Sequence, residues 1–131
     1  MSASARINRH QDLEVYQLSF KLAMKVFEFS KQFPREETYS LTDQIRRSSR
    51  SVSTNIVEAW RKIRYKAAFV IKLSDAEAEA AETQSWLQFA VACVYLDPEI
   101  GEEISEGYNQ VIGELIHMLT HPEHWALPPR N

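Results

Sequence analysis

Four segments of the chain carry apolar residues at alternating spacings of three and four, the period of one buried face of an α-helix. The clearest stripe is Leu41, Ile45, Ser48, Val52, Ile56, Ala59 and Ile63. The pattern predicts helices over about Asp12 to Lys31, Leu41 to Ile63 and Ala67 to Tyr95, and a fourth from Pro98 to the His121-Pro122 stop. No segment alternates apolar and polar residues as a half-buried strand does.

Only 3 glycines and 5 prolines interrupt the 131 residues, so these residues and nearby capping side chains mark the helix ends. Asp12 and Ser40 are predicted N-caps of the first two helices, and Asp97 is the predicted N-cap of the fourth. Neither Pro nor Gly separates the second helix from the third, and we place that turn near Arg61 to Lys66.

Four amphipathic helices with short connections predict an all-α fold, an antiparallel up-down-up-down four-helix bundle. The length and a hydrophobic fraction of 44% fit one domain over residues 1–131, with a flexible leader at 1–11 and a tail at 122–131. The longest nearly apolar run, Trp86 to Leu96, is shorter than the roughly 20 residues of a membrane helix. We therefore expect a cytoplasmic protein with no membrane partner, whose single Cys93 is an inert buried thiol.

The net charge of −3 conceals a strong segregation of charge along the chain. Residues 46–66 hold seven basic side chains against Glu58, a net of +6, and the remainder of the chain carries −9. The seven are Arg46, Arg47, Arg50, Arg61, Lys62, Arg64 and Lys66. Helical projection places Arg46, Arg50, Arg61 and Arg64 opposite the apolar stripe, with Arg47 on one flank.

This cationic face predicts binding to the phosphate backbone of nucleic acid, with a steep salt dependence and no strong base readout. Ser49, Ser53 and Thr54 lie between the arginines, and we interpret them as additional neutral donors to phosphate. Two other interpretations stay open. The face is a solvated helix surface, or it holds subunits together.

Large side chains on the outer faces of the second and third helices predict an interface between copies of the chain. These residues are Val57, Trp60, Trp86 and Phe89. Acidic residues precede the two aromatic residues on the same face of the third helix and are placed to oppose the arginines of a neighbouring subunit. They are Asp75, Glu79 and Glu82.

Two patterns in the last helix raise metal binding, and neither is complete. Glu114-x-x-His117 has the spacing of a di-iron bundle site, which requires a second such motif. His117, His121 and His124 offer zinc ligands, although exposed histidines near a helix C-terminus are the interpretation we favour. There is no Gly-rich phosphate loop and no base and nucleophile pair, so we expect no enzymatic activity and no cofactor.

A set of motifs begins at Phe33-Pro34 and continues through Gln44-Ile45-Arg46-Arg47 to Asn55-Ile56-Val57-Glu58. It closely resembles the four-helix-bundle proteins encoded in intervening sequences of bacterial 23S ribosomal RNA genes, over roughly Asp12 to Leu119. The resemblance implies homo-oligomers, typically pentameric rings. It also implies a distant kinship with accessory proteins of diversity-generating retroelements, which bind nucleic acid and a reverse transcriptase.

Several of these motif residues have a structural interpretation. Gln44 and Asn55 flank the apolar stripe, where a buried amide must find hydrogen-bond partners. Glu58 is expected to pair with Lys62 one helical turn later.

Overall fold

The computed structural model describes residues 7–125. Its four long helices are α1 (Glu14–Ser30), α2 (Leu41–Arg61), α3 (Lys66–Ala92) and α4 (Pro98–Thr120). Single 3₁₀ turns lie at His10–Asp12, Arg35–Glu37 and Pro122–His124. Residues 7–125 contain no strand, so the predicted all-α class is confirmed and the turn between α2 and α3 falls inside its predicted window. The predicted leader and tail lie partly outside the described residues.

The helices form a four-helix bundle in which each long helix packs against two others. α1 contacts α2 and α4, and α3 contacts the same two helices. Within the described residues α2 and α4 do not contact each other, so they occupy diagonal corners. α2 carries four arginines, whereas α4 carries five glutamates and neither Lys nor Arg. Fully buried side chains from all four helices form the core: Val26, Ile45, Val52, Ile56, Phe69, Leu73, Leu87, Tyr108, Val111 and Leu115.

Small hydroxyl side chains line the places where α2 approaches its two neighbours. Towards α1, the hydroxyls of Ser53 and Ser19 are hydrogen-bonded at 2.9 Å. Towards α3, Thr83 Oγ1 donates to Ser48 Oγ at 2.8 Å. All four residues are buried. Because each pair satisfies polar atoms that are removed from water, α2 approaches both helices closely without leaving these hydroxyls unpartnered.

Two of the three predicted N-cap positions are confirmed, Ser40 and Asp97, although only Asp97 caps its helix through its side chain. Asp97 caps α4, since its Oδ1 accepts a hydrogen bond from the Glu99 N–H at 2.8 Å. Ser40 lies at the predicted N-cap position of α2, but its side chain makes no capping bond. Its hydroxyl donates to Glu37, and it is Glu37 Oε1 that accepts from the first N–H of α2, at Leu41 (3.2 Å).

The second difference is at Asp12, which lies before α1 instead of capping it. The N-cap of α1 is Leu13, whose side chain makes no capping bond. Asp12 Oδ2 accepts the backbone N–H groups of Asn8 (3.0 Å) and Arg9 (3.2 Å), and these bonds lower the pKa of the carboxyl. The carboxylate therefore stabilises the 3₁₀ turn that leads into α1.

α3 ends in a hydrogen-bond pattern that normally requires glycine. The Tyr95 N–H donates to Ala90 O and the Val94 N–H donates to Val91 O, both at 2.9 Å, which is a Schellman motif with Val94 at the left-handed position. Val94 has φ of 64° and is 88% exposed. A β-branched residue in this conformation is strained.

Candidate nucleic-acid interface

Six of the seven predicted cations form an exposed surface that we call the cationic stripe. Arg47, Arg50 and Arg61 lie on the outer face of α2, and the others follow in the turn and at the first residue of α3. The members of the stripe are Arg47, Arg50, Arg61, Lys62, Arg64 and Lys66. α2 is covered by α1 and α3 on its other sides, so Arg47, Arg50 and Arg61 are presented on the one face that the bundle leaves open.

Arg46 is not part of this surface, and its predicted outward orientation is wrong. Its Nε donates to Ser30 Oγ of α1 at 2.8 Å, and its guanidinium lies 4.9 Å from the centre of the Phe27 ring. Arg46 is half-buried. On the helical projection Arg46 lies about 100° from the buried Ile45. This edge of α2 meets α1, so the Arg46 side chain binds Ser30 and Phe27 of that helix.

Arg47 is partly compensated by carboxylates of its own subunit. It lies 3.7 Å from Asp43 one turn earlier in α2. Arg47 also shares a small polar cavity, about 190 Å³ in volume, with Glu79 and Glu82 of α3. Burial raises the pKa of Glu79, and the nearby charge of Glu82 raises it further. The predicted acidic strip therefore faces an arginine within the same chain.

The other five members of the stripe have no such compensation. Arg50, Arg61, Lys62, Arg64 and Lys66 are exposed, and none forms an ion pair with a carboxylate in residues 7–125. Arg50 makes a looser contact with the Phe27 ring, at 5.8 Å. These five residues supply flexible charged groups that are free to meet phosphate oxygens.

Two of the three predicted neutral donors are unavailable. Ser49 and Ser53 are buried, and their hydroxyls bond to Arg46 O and to Ser19, respectively. Ser53 is buried where α1 meets α2, and Ser49 bonds to the backbone of its own helix. Thr54 is exposed, as predicted, although its hydroxyl donates to the carbonyl of Ser51.

Glu58, the single acidic residue of the 46–66 segment, forms an ion pair with the adjacent helix α3. Its Oε1 lies 2.9 Å from Lys72 Nζ of α3, and this hydrogen bond raises the pKa of Lys72. The predicted pairing with Lys62 is therefore wrong. Lys72 also lies 3.9 Å from Asp75, so this member of the predicted acidic strip also has a partner in its own chain.

A second candidate surface lies where the start of α2 meets the end of α3, and we call it the aromatic groove. Tyr39, Leu41, Trp86, Phe89 and Cys93 line this cavity, which is about 420 Å³ in volume. The Trp86 and Phe89 rings lie 5.8 Å apart, and Phe89 is 54% exposed. Cys93 is exposed, so its predicted burial is wrong. α3 ends at Ala92, and the thiol therefore lies past the packed part of the helix.

The remaining residues predicted for an interface are less accessible. Val57 and Trp60 are half-buried, and Trp60 packs against the core. Trp86 is also half-buried, with its indole N–H 3.3 Å from Glu82 Oε2. The bundle itself therefore covers part of the apolar surface that the sequence assigned to subunit contacts.

The histidines at the end of α4 stack on each other. The rings of His117 and His121 have centroids 4.6 Å apart, and those of His121 and His124 are 5.3 Å apart. His121 Nδ1 lies 3.0 Å from the carbonyl oxygen of His117. Within residues 7–125, no group of three or more His, Cys, Asp or Glu side chains is placed to hold a metal ion.

The fold and the motifs around α2 agree with one known family. The family described as 23S rRNA-intervening sequence protein matches residues 11–117. The chain belongs to this family. A search of curated proteins found no match to this chain.

A solved structure extends the agreement to three dimensions. The chain is similar to a protein of unknown function from the S23 ribosomal protein family of Bacteroides thetaiotaomicron, with 29% identity and a TM-score of 0.73. The match covers 81% of this chain and 95% of that one. The function of that protein is unknown, so the surfaces of this member of the intervening-sequence family are the guide to what it binds.

None of the helices in residues 7–125 is long and apolar enough to cross a membrane.

The residue that the sequence interpretation missed is Phe27, which contacts Lys31, Arg46 and Arg50 through its ring. Its neighbours Val26 and Phe29 were assigned to the apolar stripe of the first helix. The aromatic ring at the edge of that stripe was the available signal.

Proposed function

We propose that this protein is a non-enzymatic cytoplasmic protein that binds nucleic acid, as RNA or a ribonucleoprotein, through the cationic stripe. The observation that carries the proposal is the exposure of Arg50, Arg61, Lys62, Arg64 and Lys66 without carboxylate partners in the described residues. Cations that neutralise backbone phosphates release counterions, which drives association independently of sequence.

The form of the stripe supports backbone contact over base recognition. Its members are long, flexible side chains on a helix face and in the turn that follows, and the helix is covered on its other sides by α1 and α3. One exposed aromatic residue, Tyr65, lies between the stripe members Arg64 and Lys66 and exposes 64% of its surface. A single ring does not form a platform on which successive bases stack, so contacts with the backbone dominate in this proposal and discrimination between sequences is weak.

Filter binding of a single-stranded RNA across a series of salt concentrations tests the proposal. Replacing Arg61 and Arg64 by Ala removes two stripe cations, and a matched control replaces the exposed Lys21 and Lys25 of α1. If each lost cation contacts one phosphate, the slope of log K against log salt becomes shallower by about 1.4 in the stripe variant. Equal slopes for the stripe variant and the control would refute the assigned surface.

The proposal includes assembly of the chain into a homo-oligomeric ring, pentameric as the family resemblance implies, with helices that run antiparallel in succession. The aromatic groove supports self-association, because Tyr39 and Phe89 expose 94% and 54% of their surface there. Replacing Phe89 by Ser should reduce the oligomer mass measured by light scattering. An unchanged mass would exclude the groove from the interface.

An adaptor role is the second candidate function, and the segregation of charge between α2 and α4 is the observation that favours it. The exposed arginines would then meet carboxylates of a neighbouring subunit or of a protein partner, such as the reverse transcriptase of retroelement accessory systems. Light scattering of the Arg61 and Arg64 variant across ionic strength separates the two roles. Loss of assembly with the two arginines favours the adaptor, whereas intact assembly with weakened RNA retention favours nucleic-acid binding.

A further inference from the structure

A cavity of about 530 Å³ lies between the first turn of α1 and the last two turns of α4, far in sequence from the cationic stripe. Its volume is within the range of small-molecule sites in proteins. Apolar side chains form most of its wall: Ile7, Leu13, Val15, Met118 and Trp125. Leu13, Val15 and Met118 are buried, so the wall is continuous with the core of the bundle.

Two carboxylates face this apolar wall without a cation to balance them. Glu14 of α1 and Glu114 of α4 both line the cavity, and neither forms an ion pair within residues 7–125. Burial raises the pKa of Glu114, and the charge of Glu14 raises it further. The lining residues include no Lys or Arg.

The third carboxylate of the lining, Asp12, has a different role. Its oxygen already accepts two backbone N–H groups, from Asn8 and Arg9. His117 also lines the cavity. Glu14 and Glu114 are therefore the two groups that a cation in the cavity would meet.

A separate observation concerns the indole of Trp125. Its Nε1 is buried and has no hydrogen-bond partner within the described residues. A buried N–H without an acceptor is costly, and such groups in native proteins usually have a partner in a ligand or an ordered water. The cavity thus combines unbalanced negative charge, an apolar wall and an unused donor.

We propose that this cavity binds a small organic ammonium ion, with the charged nitrogen between Glu14 and Glu114 and an alkyl body against Leu13, Val15 and Met118. The apolar wall favours such an ion over an inorganic cation, because the desolvated alkyl chain supplies binding free energy that a hydrated metal ion lacks.

Three probes of equal chain length separate charge from apolar contact: n-hexylamine, n-hexanol and sodium hexanoate. Each is titrated at about pH 8 at constant ionic strength, and the Trp125 indole resonance is followed by ¹H–¹⁵N NMR, assigned with the Trp125→Phe variant. We expect saturable shifts with hexylamine, weaker binding of hexanol and none of hexanoate. Equal affinities for hexylamine and hexanol, or no saturable shift with hexylamine, would overturn the proposal.

Glu114→Gln and its matched control Glu102→Gln complete the test. Glu102 is an exposed residue of the same helix and does not line the cavity. Loss of the charge at Glu114 should weaken hexylamine binding by about tenfold to hundredfold, the ordinary contribution of a hydrogen bond to a charged group. Glu102→Gln should leave the affinity unchanged. Equal affinities of Glu114→Gln and the unmodified protein contradict the assignment.

Discussion

The Tyr95 hydroxyl donates a hydrogen bond to Glu37 Oε2 at 3.0 Å and so joins the connection between α1 and α2 to the one between α3 and α4. The other carboxylate oxygen of Glu37 accepts from Ser40 and from the Leu41 N–H at the start of α2. The hydrogen bond to Glu37 is the main cause that raises the pKa of Tyr95 to about 12. One carboxylate thus fixes two connections and one helix terminus.

Replacing Glu37 by Gln should lower the melting temperature at neutral pH. The bonds from Ser40, Tyr95 and Leu41 lower the pKa of Glu37 below 4.5, so the folded state favours its ionised form. The resulting stability is present above the unfolded pKa and is lost as the pH falls through the folded pKa. The difference between variant and unmodified protein should therefore shrink at acidic pH in circular dichroism melts. A constant difference from neutral to acidic pH would contradict this linkage.

Glu114→Gln should have the opposite effect. The pKa of Glu114 is raised, so its ionisation costs stability progressively as the pH rises from 4.5 through the folded value. The variant should melt at a higher temperature than the unmodified protein at neutral pH and at a similar temperature in acid. Glu102→Gln, which changes an exposed residue, is the control and should show neither trend.

Two glycines of α4 should respond oppositely to substitution by alanine. A Cβ at Gly101 would lie 2.6 Å from Val91 Cγ2 of α3, whereas a Cβ at Gly113 meets nothing within 4 Å. Gly113→Ala should therefore stabilise the protein by about 0.5–1 kcal/mol through helix propensity. Overpacking costs about 1–3 kcal/mol and should make Gly101→Ala destabilising in urea unfolding. Equal free energies of unfolding for the two variants would show that Val91 gives way freely.

Val94→Gly should stabilise the end of α3. The left-handed conformation of Val94 costs roughly 1–2 kcal/mol, and the added freedom of glycine in the unfolded chain offsets roughly 0.5–1 kcal/mol of the gain. Ala92→Gly places glycine two residues earlier, in the last helical position, and should destabilise by contrast. Thermal melts of the two variants that shift in the same direction would refute the strain.

Alanine substitutions of Arg46 and Arg50 should have different effects, the first on the free energy of unfolding and the second on RNA binding. Arg46→Ala removes a charged hydrogen bond to Ser30 and the contact with Phe27, and should cost about 1–3 kcal/mol of unfolding free energy. Arg50→Ala removes an exposed side chain and should stay within about 0.5 kcal/mol. RNA retention should fall with Arg50→Ala. If instead Arg46→Ala melts like the unmodified protein, its contacts with α1 contribute nothing.

The helices were predictable because Leu41, Ile45, Val52 and Ile56 repeat with the helical period and because Asp97-Pro98 starts a helix clearly. The hydrogen-bond and ion-pair partners of polar side chains could not be predicted in the same way. The pairing of Glu58 with Lys72 depends on how α2 and α3 are aligned along each other, which no spacing within one helix reveals. Projection placed Arg46 on the boundary between core and solvent, and the presence of Ser30 and Phe27 on α1 decides its orientation.

Serine posed a related problem. Ser49 and Ser53 have polar side chains at positions that the bundle buries, and the contact with Ser19 of α1 that satisfies Ser53 cannot be read from either helix alone. The family motifs, in contrast, predicted the fold over roughly Asp12 to Leu119, and the family model matches residues 11–117.

The diagonal placement of α2 and α4 gives the molecule an electric dipole across the bundle, since the helix at one corner carries four arginines and the helix at the opposite corner carries five glutamates. A distant polyanion would exert a torque on this dipole and rotate the arginine corner forward before any atoms touch. The glutamates of α4 would then face away from the polyanion. Productive collisions should consequently be orientation-biased at low ionic strength, and this bias disappears when added salt shortens the range of the field.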